Sequence, residues 1–517
     1  MRIGIISVYV DYHRRGRKNR FAMQPGIGPL LAGLLPRGVE IEVVNETWRD
    51  PDWSRDYDLL FLSSLHSDFD RARAIAHYWR RRGAATVYGG PFASAYPDLC
   101  QPFFDSVVVG DPEASVLEVY SDFARRALKP RYVARRYDAG RVARPRFDLV
   151  TRQSFTPLCL EATRGCPFEC DFCVLTGLGT RHHVRPAADV LHDIREGQEA
   201  VRRRFRPWRH RVVGFADNNI GGNLAYLREL CTALAPLGLR WYAAVTFNVV
   251  ANRDLVRLMA GAGCRVLYVG LESFNPEAIR DMNKNQNVVA KIRTAIDNCR
   301  RNGILLISGL MLSPLADDLD YLAAVPGHLE SCGLHLPTFI CFESPIPGTP
   351  HFTRLAARPE PALLPDALLR DFTGYTLTVK PVRAGLAEFI AAYRELVARV
   401  YAPLRRLRKL ADDLSYFLPR GSGFAALLDT IDTLAVDPLP DPARSLVAGS
   451  DTPPPESVPL GAADFDSEEE QARVMAPWRI TDERGSVLPQ WLRAQVVFER
   501  ERRPPERQRA SGAIAAG

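Results

Sequence analysis

Short apolar runs alternate with stretches of helical period along most of this chain, and the alternation occurs twice. In the first series Arg2–Val10 reads as a strand and Gly28–Leu35 is apolar at helical spacing. Glu40–Val44 and Asp58–Leu62 read as further strands, and a helix rich in Arg and Ala spans Asp70–Arg82. Ala85–Tyr88 and Ser106–Val109 complete the series, the first closed by Gly89-Gly90-Pro91 and the second by Gly110. Strand, helix, strand at this spacing predicts a parallel, doubly wound sheet, because parallel neighbours need a long crossover where antiparallel ones need only a turn. Residues 128–150 are basic, Pro-containing and unpatterned, which suits a linker.

The second series begins at Leu158. Its strand candidates are Leu158–Ala162, Arg211–Ala216, Trp241–Thr246, Val266–Gly270, Leu305–Leu310 and Thr338–Phe342. Helical stretches lie between them, at Ala188–Arg202, Ala225–Leu234, Arg253–Ala262, Val288–Asn302 and Leu319–Cys332. Six such units are too few for a closed eight-fold barrel and suit an open, partial one.

A chain of 517 residues exceeds one ordinary hydrophobic core. The expected division is a doubly wound domain over 1–135, a linker over 136–152 and the partial barrel over 153–360. A mostly helical region follows over 361–436, clearest at Ala384–Leu414, where it is expected to close over the barrel and shape the substrate pocket. A Pro- and acid-rich tail over 437–517 is expected to be largely disordered, with Trp478 and Trp491 anchoring short pieces on the body. The net charge of +7 invites a nucleic-acid reading, but 67 Lys and Arg are interspersed with 60 Asp and Glu. The basic runs Arg202-Arg203-Arg204 and Arg500-Glu501-Arg502-Arg503 are short and lack interleaved aromatics, so no nucleic-acid partner is expected. The run after Met1 lacks a cleavage site, so no signal peptide is expected, and no apolar stretch approaches the length needed to span a bilayer. Ten cysteines, mostly isolated in apolar contexts, fit a reducing cytoplasm, where a tight Cys cluster points to metal.

That cluster is Arg164-Gly165-Cys166-Pro167-Phe168-Glu169-Cys170-Asp171-Phe172-Cys173. Three thiols at this spacing, just after a strand, can converge on three corners of an iron–sulfur cube, for which soft thiolates are the natural ligands. Cys166, Cys170 and Cys173 would leave one iron without a protein ligand and open to a small molecule. The competing reading is a structural zinc site, which closes with four ligands and could draw the fourth from His182-His183.

The loop resembles that of the radical S-adenosylmethionine (SAM) superfamily, in which an aromatic commonly precedes the last cysteine, as Phe172 does here. The resemblance implies a 4Fe–4S cluster whose unique iron binds SAM, and cleavage of SAM to a 5′-deoxyadenosyl radical that takes hydrogen from substrate. Other segments match in order. Phe215-Ala216-Asp217-Asn218-Asn219 ends a strand like an element of the cobalamin-binding branch, which makes Asp217 and Asn219 candidate contacts to SAM. Val269-Gly270-Leu271-Glu272-Ser273 resembles the strand carrying a polar SAM contact, here Glu272, and Asn283-Lys284-Asn285-Gln286-Asn287 follows as expected. Ser308, before Gly309, would lie near the SAM ribose, and Pro345-Ile346-Pro347-Gly348-Thr349 resembles the loop after the sixth strand. The likeness runs from about Leu158 to Leu355 and places the site at the strand C-termini.

A doubly wound domain ahead of such a barrel resembles the cobalamin-binding domain of the same branch. Asp11-Tyr12-His13-Arg14-Arg15-Gly16, Ser63-Ser64-Leu65 and Gly89-Gly90 compare with the D-x-H-x-x-G, S-x-L and G-G elements of known cobalamin binders. The resemblance makes His13 a candidate lower ligand of cobalt oriented by Asp11, although many members of this branch lack that histidine. It sets Ser63, Ser64, Leu65, Gly89 and Gly90 around the nucleotide tail. His66 and Tyr88 are candidates for the upper cobalt face, and Glu113 matches a structural turn. The fold implied is α/β: a Rossmann-like cobalamin-binding-type domain, a partial (β/α)6 TIM-type radical SAM barrel and a helical C-terminal extension.

With both cofactors, the resemblance implies cobalamin-dependent methylation of an unactivated carbon, and the sequence lies broadly near the hopanoid and bacteriochlorophyll methylase type. Substrates in this branch are lipids, tetrapyrroles, antibiotic intermediates or peptides, and a low-potential donor such as flavodoxin or ferredoxin supplies electrons. The alternatives are a cyclisation, rearrangement or oxidation without methyl transfer, and a non-catalytic metal-stapled fold.

Overall fold

The computed structural model describes residues 1–11, 18, 25–135, 137, 142–154, 156–203, 209–334, 336–423, 425–427, 446–449 and 458–498. Two six-stranded sheets, each parallel throughout, carry the chain. The first is built from β1 (Arg2–Ser7), β2 (Glu40–Asn45), β3 (Leu59–Ser63), β4 (Ala85–Gly89), β5 (Ser106–Gly110) and β6 (Arg131–Ala134), in the order β2-β1-β3-β4-β5-β6. Alternate side chains serve two cores. Ile3, Ile5, Leu59, Phe61, Val87 and Val108 pack on one face, and Ile6, Leu60, Leu62, Tyr88, Val107 and Val109 on the other. Burial on both faces explains why β3 and β5 read as unbroken apolar runs. The order reverses between β1 and β3, and such switch points open a crevice beyond the strand carboxyl ends. Ser7, Ser63 and Gly89 are in register there, so that crevice has a level rim.

The second sheet is the partial barrel, with β7 (Leu158–Leu160), β10 (Val212–Phe215), β11 (Arg240–Val245), β12 (Cys264–Glu272), β13 (Leu305–Leu312) and β14 (Phe339–Phe342) side by side in chain order. Between β7 and β10, β8 (Thr163–Arg164) and β9 (His183–Val184) form a two-stranded antiparallel neck. Val213, Phe215, Trp241, Val245, Leu310 and Leu312 face the helix layer. Val212, Tyr242, Val266 and Leu305 face the lumen, whose floor is closed by Phe417, Ala425 and Ala426. Among the described residues no helix is long and apolar enough to cross a membrane.

Three expectations are corrected. The unpatterned stretch expected over 128–150 contains a strand, for β6 pairs with β5 along Val107–Gly110. Phe147 enters the barrel core, Val150 enters that of the first sheet, and Gln153 Nε2 donates to Val43 O at 2.6 Å. The edge strand escaped notice because half its residues face solvent, Val133 among them. The helical region begins only at Leu386, and the helices Leu386–Val400 and Pro403–Phe417 are separated by Tyr401-Ala402. The first packs beside β14 in the helix layer and the end of the second, Leu414 and Phe417, reaches the floor, so neither closes the mouth. Tyr393 packs on Phe342 with ring centroids 4.4 Å apart and donates to Ile340 O.

The third correction concerns the tail. Residues 458–498 are folded against the first domain, with a helix over Glu468–Met475. Trp491, 1% exposed, packs on Tyr96 at 5.4 Å and receives the Tyr96 hydroxyl on its carbonyl at 2.9 Å. Arg73 lies over the rings of Phe69, Phe103 and Trp478. These few large anchors enter a core built by other segments, so local composition alone reads as disorder.

Candidate active site between two parallel sheets

The cysteine loop is held at its base before it is held anywhere else. The neck pairs Thr163 with Val184 and Arg164 with His183, bringing both ends of the loop together. Gly165 has φ +80°, and a Cβ there would lie 1.8 Å from Arg181 O, so only glycine lets the chain turn at this point. Asp217 lies beneath. Its Oδ2 accepts from the Ala162 N–H at 3.1 Å, and its Oδ1 accepts the Thr163 hydroxyl at 2.6 Å and the Thr163 N–H. Burial pushes this carboxyl up to about 7, against those hydrogen bonds.

The far side of the loop rests on the segment after β12. The Asp171 N–H donates to Met282 O at 3.0 Å, and Asn283 Nδ2 donates to Glu169 O at 2.7 Å. Amide donors also point at sulfur, with Asn219 Nδ2 3.6 Å from Cys166 Sγ and Gln286 Nε2 3.4 Å from Cys170 Sγ. Burial pushes the thiols of Cys170 and Cys173 up, and hydrogen bonds from Gln286 and from the Leu175 and Thr176 amides oppose it. Lys284 is buried beside them, its ammonium 5.4 Å from the Phe172 ring centroid and paired with Glu272. Burial pushes Lys284 down to about 8, while the charges of Cys170, Cys173 and Cys166 resist. The β12–β13 register shifts between Gly270 and Glu272, which leaves Glu272 at φ +66°. A bulge with a left-handed non-glycine residue is strain of the kind concentrated at functional sites.

The donor set fits an iron–sulfur cluster better than zinc. All three cysteines are free thiols. Among the described residues no three His, Cys, Asp or Glu converge to grip a single ion. His182 Nε2 sits 3.3 Å from Asn219 O, and His183 lies in the neck with its ring 5.0 Å from Tyr137. His182, one of the two histidines that could have completed a zinc set, is therefore already engaged by a backbone carbonyl.

A cavity of about 380 Å³ begins at the carboxyl edge of the first sheet. Ser63, Gly89, Gly90 and Gly110 form its rim, and Leu30, Leu31, Phe61, Val87 and Val108 its apolar wall. Gly90 has φ +115°, and a Cβ there would stand 3.0 Å from Ser64 O and 3.3 Å from Ser63 Oγ. A glycine-lined rim above an apolar wall at a switch point fits a nucleotide-like tail such as that of cobalamin. The cavity runs on to Glu161, Arg164, Ala216 and Asn218 at the barrel edge, so it meets the base of the cysteine loop.

Several expected site residues fall elsewhere. His13 lies outside the described residues. Ser64 turns away from the cavity, its hydroxyl 2.7 Å from the Tyr88 hydroxyl, and Leu65 is exposed. Tyr88 is core, stacked on Phe104 at 4.3 Å, and His66 Nε2 is 2.7 Å from Phe372 O, so neither is a free cobalt-facing group. Ser308 shares the face of Leu310 and Leu312 toward the helix layer, where its hydroxyl is buried without a hydrogen-bond partner. Its neighbours on the opposite face, Ile307 and Gly309, take the lumen side. Asp217 supports the loop from below instead of facing the mouth. Phe172, Asn219 and Glu272 do come together around the thiols. Sequence reasoning missed Gly110, Asn218 and Arg164. Gly110 closes a strand as Gly89 does, and that was the available signal.

A thiol loop at the mouth of a parallel partial barrel defines a class, and residues 160–321 match the family model described as the Radical SAM superfamily. The chain therefore carries a radical SAM domain. It is 27% identical over 350 residues to bacteriochlorophyllide d C-8(2)-methyltransferase of Chlorobaculum tepidum, covering 64% of this chain and 75% of that protein. It is 23% identical over 410 residues to hopanoid C-2 methylase of Rhodopseudomonas palustris, covering 75% and 73%. Among solved structures, the radical SAM methyltransferase TsrM from Kitasatospora setae, with cobalamin and a [4Fe-4S] cluster bound, aligns with TM-score 0.56 at 15% identity, covering 78% of this chain and 88% of that one. The cobalamin-dependent SAM radical enzyme OxsB, with aqua-cobalamin and SAM bound, aligns with TM-score 0.57 at 14% identity over 82% and 72%. The shared fold is a doubly wound domain joined to a partial barrel.

Proposed function

We propose that the protein is a cobalamin-dependent radical SAM enzyme that methylates an unactivated carbon. The observation that carries this reading is the continuity of the glycine-rimmed cavity with the base of the cysteine loop, which puts two cofactor sites against one space. When bound, the cluster and SAM supply a radical that takes hydrogen from carbon, and the cobalamin supplies a transferable methyl group.

The chain itself binds, orients and excludes water. Cys166, Cys170 and Cys173 hold the cluster, and the amide donors of Asn219 and Gln286 stabilise charge on the sulfurs. Phe172, Asn219 and Glu272, with Lys284, stand where SAM would lie. Ser63, Gly89, Gly90 and Gly110 receive the cobalamin tail, and the closed floor beneath Tyr242 keeps bulk water from the lumen. The expected substrate is a small molecule, lipid, tetrapyrrole or peptide, and the named activities of the two relatives suggest a tetrapyrrole or a lipid. A flavodoxin- or ferredoxin-type donor in a reducing cytoplasm completes the scheme.

The test uses anaerobically reconstituted protein, hydroxocobalamin, a low-potential reductant and SAM bearing a trideuterated methyl group. Recovery of that methyl on the bound cobalamin, seen by mass spectrometry, is the expected result. SAM cleavage with bound cobalamin that never acquires the label would point to rearrangement or oxidation and overturn methyl transfer.

A further inference from the structure

Arg164 precedes the Gly165-Cys166 turn, yet carboxylates of the other domain hold its guanidinium. Nη1 lies 3.1 Å from Asp111 Oδ1, and Nη2 lies 2.8 Å from Glu113 Oε1. Nε and Nη2 also donate to Glu161 Oε2, at 3.1 and 2.5 Å. The ring of Tyr137 lies beneath, its centroid 4.5 Å from the guanidinium carbon. The Arg164 side chain is 11% exposed, so these are shielded, charge-assisted contacts.

Both ends of this connection are stiff. Asp111 and Glu113 follow directly from Gly110 on the cavity rim, where φ is +88° and a Cβ would strike Ala134 O at 1.9 Å. Arg164 belongs to the neck and is followed by the obligatory glycine at 165. A displacement of the Gly110–Glu113 turn is therefore transmitted to Cys166 through one side chain. A lysine would keep the charge but lacks the planar fork that meets several carboxylates at once.

We propose that Arg164 is a positioning residue that fixes the separation between the cobalamin cavity and the cluster loop. The inference rests on the function proposed above. A purely structural ion pair would change stability and leave that separation alone, so the deciding measurement reads the separation itself.

In full-length protein reconstituted with cluster and cobalamin, the electron paramagnetic resonance of cob(II)alamin relaxes faster when a reduced cluster lies near it. The half-saturation power of that signal is measured with the cluster oxidised and reduced, for the parent, Arg164→Lys and Glu113→Gln. Both variants are expected to keep parental iron and cobalamin contents and to lose about twofold or more of the relaxation enhancement, because a supporting contact about 1 Å too loose shifts the site it holds. Parental enhancement in either variant that retains both cofactors overturns the positioning role. Should Arg164→Lys lose its iron, Glu113→Gln decides alone, since Glu113 touches neither the loop backbone nor a thiol. A parent that binds no cobalamin would instead sink the functional reading on which the inference depends.

Discussion

Replacing Gly165 by alanine isolates the local geometry of the cysteine loop. The added methyl would sit 1.8 Å from Arg181 O and 2.7 Å from its carbonyl carbon, both backbone atoms of the segment that leads into β9 across the neck. Neither can rotate aside, so β8 and β9 must part and the Arg164–His183 pairing must open. Holding alanine at φ +80° costs about 1–2 kcal/mol, and forcing the strands apart adds about 1–3 kcal/mol. The sum of about 2–5 kcal/mol exceeds what a short neck of two residue pairs can resist. The neck should yield while the two sheets stay intact. The assay pairs reconstituted iron content with the melting temperature of the apoprotein. Iron uptake should fall severalfold, and the melting temperature should change little, because the penalty is relieved by local opening. Full iron uptake by Gly165→Ala, or a melting transition several degrees lower with the iron retained, would refute the claim that this turn registers the cysteines.

Three further outcomes follow from particular contacts. Gly90→Val should weaken hydroxocobalamin binding at least tenfold without changing iron content, because its Cβ is crowded by Ser64 O and Ser63 Oγ at the cavity rim; an absorbance titration measures this. Trp491→Ala should destabilise the first domain by about 3–5 kcal/mol in chemical unfolding, since its indole is fully buried against Phe92 and Tyr96. Burial pushes the Asp68 carboxyl up to about 7, so the folded chain gains a proton as pH falls through that value while the unfolded chain stays ionised. Stability from this group should rise by about 1.4 kcal/mol per pH unit below that point until the ordinary aspartate range. Asp68→Asn should flatten that slope in melting experiments run at several pH values.

Much of the barrel could be read from the sequence because its strands are buried on both faces and its helices are long and periodic. The strand expected at Leu305–Leu310 is found at Leu305–Leu312, and the helix Leu319–Cys332 has the bounds expected of it. The same double burial hid the phase of the strands. With Leu306, Leu310 and Leu312 on one face and Ile307 and Met311 on the other, no polar alternation says which way Ser308 points. The edge strand at Arg131 and the fold of residues 458–498 around the expected anchors Trp478 and Trp491 were obscure for the opposite reason. Each is a sparse apolar signal that gains meaning only against a surface formed by residues far away in the chain. Asp217 was noticed for its position at a strand end, but its hydrogen bonds to Ala162 and Thr163 follow from tertiary geometry. The Arg164 network joins three segments, at Asp111–Glu113, Tyr137 and Glu161–Arg164, and has no local signature at all.

The central claim is that Cys166, Cys170 and Cys173 hold a 4Fe–4S cluster that cleaves SAM. The most direct test is anaerobic reconstitution with iron and sulfide, metal and sulfide analysis, and dithionite-dependent formation of 5′-deoxyadenosine by the parent and by Cys170→Ala. Equal iron and acid-labile sulfide in the parent, with SAM cleavage that disappears in Cys170→Ala, is the predicted result. Zinc in place of iron, or cleavage that survives the loss of Cys170, would contradict it.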